Sequence, residues 1–76
     1  MFTIEHEFDA TVITLVDEVG THRQEDITLN VFEDVVTMEQ LDARTDRVVM
    51  ISLSMAQVRD LAAALNLPEG AYRLKR

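Results

Sequence analysis

The chain has 76 residues, no cysteine, two histidines and a net charge of −7 from fourteen acids against seven bases. That length allows one domain near the small end of what folds alone, where burial leaves little surplus over conformational entropy and self-association helps. The composition excludes a disulfide staple and a thiolate-held metal, and the charge repels phosphate backbones at long range.

The opening MFTIEHEFDA carries acids where a signal peptide needs bases followed by an apolar run. No apolar stretch approaches the length of a membrane span, so the expectation is a soluble, cytoplasmic protein that does not enter a membrane. Period-2 patterning then dominates. Residues 2–8, FTIEHEF, place Phe2, Ile4, His6 and Phe8 on one side and Thr3, Glu5 and Glu7 on the other, which predicts a half-buried strand. TVITLV, 11–16, is rich in β-branched residues and predicts a second. A polar connection, DEVGTHRQED, follows, with Gly20 free to take a positive φ. Strands are expected at 27–32, 35–41 and 47–53, with Glu33 and Asp34 in a tight turn between the first two and DARTD, 42–46, turning into the last.

Ser54 marks a change of period. Its hydroxyl and Gln57 have the Ser-x-x-Gln spacing of a capping box, and Met55, Val58, Leu61, Ala62 and Leu65 recur along one helical face. The helix is expected over 55–66, with Leu61 in the core, and Pro68 and Gly70 stop it. A short tail, 71–76, alternates Tyr72 and Leu74 with bases. The fold class is therefore α+β: a single domain, 1–76, with an antiparallel meander of about five strands followed by one C-terminal helix packed on the sheet.

Chemical motifs are sparse. There is no Gly-rich phosphate loop, no Gly-x-Ser-x-Gly elbow and no His-Glu-x-x-His. His6 and His22 lie on separate elements without ligand spacing. The pairs Asp17/Glu18, Glu25/Asp26 and Glu33/Asp34 fall at strand ends, where carboxylates solvate turns. DARTD lacks the Gly and final Glu of a calcium loop. No catalytic residue, metal or cofactor is expected. The candidate interaction residues are His22, Arg23 and Gln24 at the tip of the long loop, and Arg73, Lys75 and Arg76, a basic end on an acidic body. The commoner roles of these groups are a solvated loop and a tail that contacts its own carboxylates.

The stretch ISLSMAQVRDLAAAL, 51–65, with its strand ending in Ile-x-Leu-Ser, its x-x-Gln and its Leu-centred helix, resembles the C-terminal part of the single-stranded-DNA-binding transcriptional coactivators of the positive-cofactor type. That resemblance implies a sheet followed by a helix that pairs two chains into a dimer. DNA binding is not carried over, because a nucleic-acid groove needs bases along phosphates and rings for stacking. Here the strands bear Glu5, Glu7 and Glu39, and Phe2, Phe8 and Phe32 sit where side chains fill a core.

The expectation is a small acidic, non-enzymatic protein-interaction domain, with a protein partner and a second copy of itself. The alternatives are a nucleic-acid-binding module using the tail with Arg23, Arg44 and Arg47, an acidic strand face that mimics nucleic acid, and a small-molecule binder or enzyme with an interchain pocket. The dimer follows from geometry. Five strands span ~24 Å, whereas one helix covers ~10 Å, and residues 12–16 and 48–53 place apolar side chains on both faces.

Overall fold

A computed structural model describes residues 1–20 and 22–66. The strands are β1 (Phe2–His6), β2 (Thr11–Leu15), β3 (Ile27–Val31), β4 (Val35–Asp42) and β5 (Arg47–Ser54), and the helix is α1 (Met55–Leu65). They form one antiparallel sheet in the order β1-β2-β3-β4-β5, so β1 and β5 are its edges. The short tail at 71–76, the stop at Pro68 and Gly70, and Arg73, Lys75 and Arg76 lie outside the described residues.

Backbone hydrogen bonds account for the element ends. β1 stops at His6 because the Glu7 N–H donates to the Ala10 carbonyl (2.9 Å) across a turn made by Phe8 and Asp9. Phe8 is therefore fully exposed and does not join Phe2 and Ile4. The Phe32 N–H donates to the Val35 carbonyl (2.9 Å), closing the tight turn over Glu33 and Asp34. In the turn between β4 and β5 the Asp42 carbonyl accepts from the N–H groups of Thr45 (3.2 Å) and Asp46 (2.8 Å). Asp46 takes the left-handed conformation there, at φ 57°, which aspartate tolerates better than branched residues do. Gly20, expected to supply such a conformation, does not: its φ is not positive.

The register sorts the side chains into two unlike faces. The rows Phe2–Leu15–Ile27–Gln40–Val49 and Ile4–Ile13–Leu29–Met38–Ile51 run across all five strands on one face, followed by His6–Thr11–Val31–Val36–Leu53. The other face carries Thr3–Thr14–Thr28–Glu39–Met50 and Glu5–Val12–Asn30–Thr37–Ser52. The expectation of two apolar faces is thus narrowed: one face is apolar across all five strands, whereas the second mixes Thr3, Thr14, Thr28 and Thr37 with Glu5, Glu39 and apolar side chains, its exposed apolar surface lying at Leu41, Val48 and Met50.

Packing on this frame is thin. Val36, at 2% exposure, is the single buried residue among those described. It pairs with Leu53, two residues before α1 begins, and α1 touches only β4 and β5. Met55 and Val58 in the first turn are half-buried, while the rest of the helix is exposed. Leu61, at 48% exposure, is therefore not a core residue of the single chain. Its helix is secured at its start by the expected capping box: the Ser54 hydroxyl accepts from the Gln57 N–H (3.1 Å) and the Gln57 carboxamide oxygen accepts from the Ser54 N–H (3.0 Å). At the other end the Asn66 N–H donates to the Ala63 carbonyl (3.2 Å). Replacing Ser54 with Ala removes one bond and leaves the other donor's partner free to move, and should cost about 1 kcal/mol in urea denaturation; an unchanged midpoint would mean that the helix start is held by other contacts.

Candidate interaction face

The apolar face has a wide centre and a polar rim. Its two central rows hold Gln40 as their one polar side chain, at the boundary with the long loop. Phe2 on β1 is 63% exposed and Ile51 on β5 is 56% exposed, so apolar surface reaches both edges of the sheet. A depression of about 180 Å³ lies between them, with Ile27, Met38, Val49 and Ile51 in its wall. Among the described residues the only arginine on the sheet is Arg47, at the far end of β5 against Asp42. An apolar centre free of charge inside a polar border is how protein interfaces are built.

The long loop forms one border. The Asp17 carboxylate accepts from the backbone N–H groups of Gln24 (2.9 Å) and Glu18 (2.8 Å), which brings Gln24 back against Asp17. The Gln40 carboxamide donates to the Glu25 carbonyl (3.0 Å), tying the loop to β4. Of the loop candidates, Arg23 and Gln24 line an open depression of about 460 Å³ together with Gln40, Asp42 and Arg44, so the loop and the turn between β4 and β5 meet at one end of the sheet. His22 is exposed and is not among the residues lining it. Arg44 pairs with Asp42 at 3.7 Å in the open, a contact worth little in water. Gln24 and Glu25 also edge a second depression at Phe2, Leu15 and Ile27, which places the loop at the rim of the apolar face.

On the threonine face the Asn30 carboxamide donates to the Thr37 hydroxyl (3.4 Å). Among the described residues Glu5 on β1 and Glu39 on β4 are the carboxylates of this face, in adjacent rows with β2 and β3 between them, and they do not make the continuous acidic track of a nucleic-acid mimic. At the sheet edge the His6 Nδ1 and the Thr11 hydroxyl are 3.2 Å apart. Among the described residues no three His, Asp or Glu side chains gather as metal ligands, and no helix is long and apolar enough to cross a membrane.

Sequence reasoning names candidate interaction residues in the long loop and the tail and expects apolar sheet faces to be covered, but it does not show which strand residues share a face. The signal was present in the alternation of Phe2 with Ile4, Ile13 with Leu15, Ile27 with Leu29 and Val49 with Ile51. Once the register aligns these pairs, they fall on the same side.

The architecture defines a small α+β domain, a five-stranded antiparallel meander with a terminal helix. The model of a family described as a domain of unknown function, DUF8831, matches residues 3–64, and the chain belongs to that family. The matched span runs from β1 to the last turn of α1. No curated protein and no solved structure matches the chain.

The Asp17 contacts make a separate prediction. The backbone N–H of Gln24, and then that of Glu18, hold its carboxyl below the usual aspartate range. A depressed folded-state value means that the loop closure it supports is complete above the ordinary aspartate range and is lost as pH falls through the lowered value. Carboxyl NMR titration should find Asp17 with a midpoint below that of an unstructured aspartate, and Asp17→Asn should shift the Gln24 amide resonance; a titration at the ordinary value would mean that the loop is open in solution.

Proposed function

We propose that this chain is a small, acidic, non-enzymatic protein-interaction domain that works as a homodimer, with its apolar sheet face covered by protein. The observation that carries this reading is that Val36 is the single buried residue among those described, on an apolar face that spans five strands. Accessible surface gives the magnitude. The chain exposes 6818 Å², against about 4700 Å² for a compact folded monomer of 8.6 kDa. Granting residues 67–76 the full surface of an extended chain still leaves an excess on the order of 1000 Å². One partner in a stable interface of standard size contributes about 800 Å².

Energetics points the same way. With somewhat more than half of that excess apolar, covering it is worth on the order of 10 kcal/mol per chain at ~25 cal/mol per Å², before the cost of association. That is comparable with the entire stability of a small domain. The resemblance of residues 51–65 to dimeric coactivators supports pairing, and the lone sheet arginine, Arg47, offers no track for phosphates. In the dimer the threonine face and the acidic turns at both sheet ends remain outside, a surface suited to a basic protein partner in the cytoplasm.

Sedimentation equilibrium at micromolar concentration should report about twice the chain mass of 8.6 kDa. Ile51→Asp, which places a charge on the exposed apolar face at β5, should weaken association at least about a hundredfold. A wild-type monomer at millimolar concentration would overturn the homodimer.

A further inference from the structure

The apolar face is not the only part of this chain without cover. The second half of α1, Leu61–Ala62–Ala63–Ala64–Leu65, has no polar side chain at any angle around the helix. All five residues are exposed, Leu65 at 59%. A helix segment that is apolar all round belongs between two surfaces. A solvent-facing helix of this length would carry charges on one side, as its first half does with Gln57, Arg59 and Asp60.

We infer that the two uncovered elements complete one another between copies: in the homodimer proposed above, the second half of α1 from each chain lies on the β1–β3 part of its partner's apolar face. Four observations lead to this arrangement. The helix meets its own sheet only at β4 and β5, so among the described residues no element covers the β1–β3 side of the apolar face. Its half-buried residues, Met55 and Val58, are confined to the first turn, so the remainder projects with its apolar surface free. Two helices side by side are ~20 Å wide and match a five-stranded sheet of ~24 Å, whereas one helix leaves more than half of it bare. The alanines at 62–64 let two helices and two sheets approach closely, since nothing larger than a methyl group separates the backbones there.

The exchange makes a middle layer of two helices between two sheets, and each copy supplies what the other lacks. Such a contact is isologous and closes at two chains. It also accounts for the capping box at Ser54, which fixes the direction in which the helix leaves β5.

The test uses the absence of native cysteine. Leu61→Cys chains carrying a size tag are mixed with untagged full-length Ile4→Cys chains, allowed to exchange, oxidised and resolved by mass. Leu65→Cys and Ile13→Cys serve as second positions in case either first variant folds poorly. The inference expects a mixed tagged–untagged disulfide as the main product, absent when the same mixture is oxidised in denaturant. Self-linked Ile4→Cys chains without a mixed product would place the sheets directly together and overturn it. Self-linked Leu61→Cys chains without a mixed product would place the helices together away from the sheet, with the same consequence. A dimer by sedimentation that gives no disulfide would put the contact elsewhere, as at the β5 edge, and overturn the exchange while leaving the homodimer standing. A monomer by sedimentation would remove both.

Discussion

Four antiparallel ladders in unbroken register determine what this domain can do. Because side chains alternate every residue, the pairings Phe2 with Leu15, Leu15 with Ile27 and Met38 with Ile51 gather the large aliphatic side chains onto one side of the sheet. A slip of one residue in any ladder would send half of them to the threonine face. The tight turns at Phe8–Asp9 and Glu33–Asp34 and the Asp42-anchored turn fix that register. What the ladders cannot supply is a second layer. A sheet needs another element against its apolar side, and the one helix among the described residues is engaged only through Met55 and Val58.

From this follows the contrast between a well-bonded backbone and a nearly absent core. The strands are fully laddered and the helix start is capped at both bonds, yet only Val36 is buried among the described residues. Hydrogen bonds alone contribute modest net stability because the unfolded chain bonds to water, and ordering this many residues costs on the order of 1 kcal/mol each. Burial must make up the difference. A second chain is the source proposed here, and it explains why the helix is apolar all round where it leaves the sheet.

Much of the fold was legible in the sequence because its signals are local. Period-2 runs located all five strands, Glu33–Asp34 and DARTD located two turns, and Ser54 with Gln57 located the start of the helix. Where the reading erred, the deciding term was not local. Phe8 looked like a member of the apolar face, but the Glu7–Ala10 bond turns the chain before it. Met50 looked like part of a second apolar face, but only the register shows that its row is otherwise Thr3, Thr14, Thr28 and Glu39, while Val48 pairs with Leu41. Leu61 looked like core because a helical stripe records that burial is wanted and not which chain provides it. A loop with His22, Arg23 and Gln24 stands out in one dimension, whereas a face assembled from five strands exists only in three.

The central claim is that this chain completes its core with a second copy of itself, and the dependence of thermal unfolding on protein concentration tests it most directly. For a dimer that unfolds to two free chains, with an enthalpy near the ~0.7 kcal/mol per residue typical of globular proteins, a hundredfold rise in concentration should raise Tm by on the order of 10 °C. A cooperative transition whose Tm stays constant over that range, at concentrations where the chain sediments as a monomer, would show that one copy is stable alone and contradict the account.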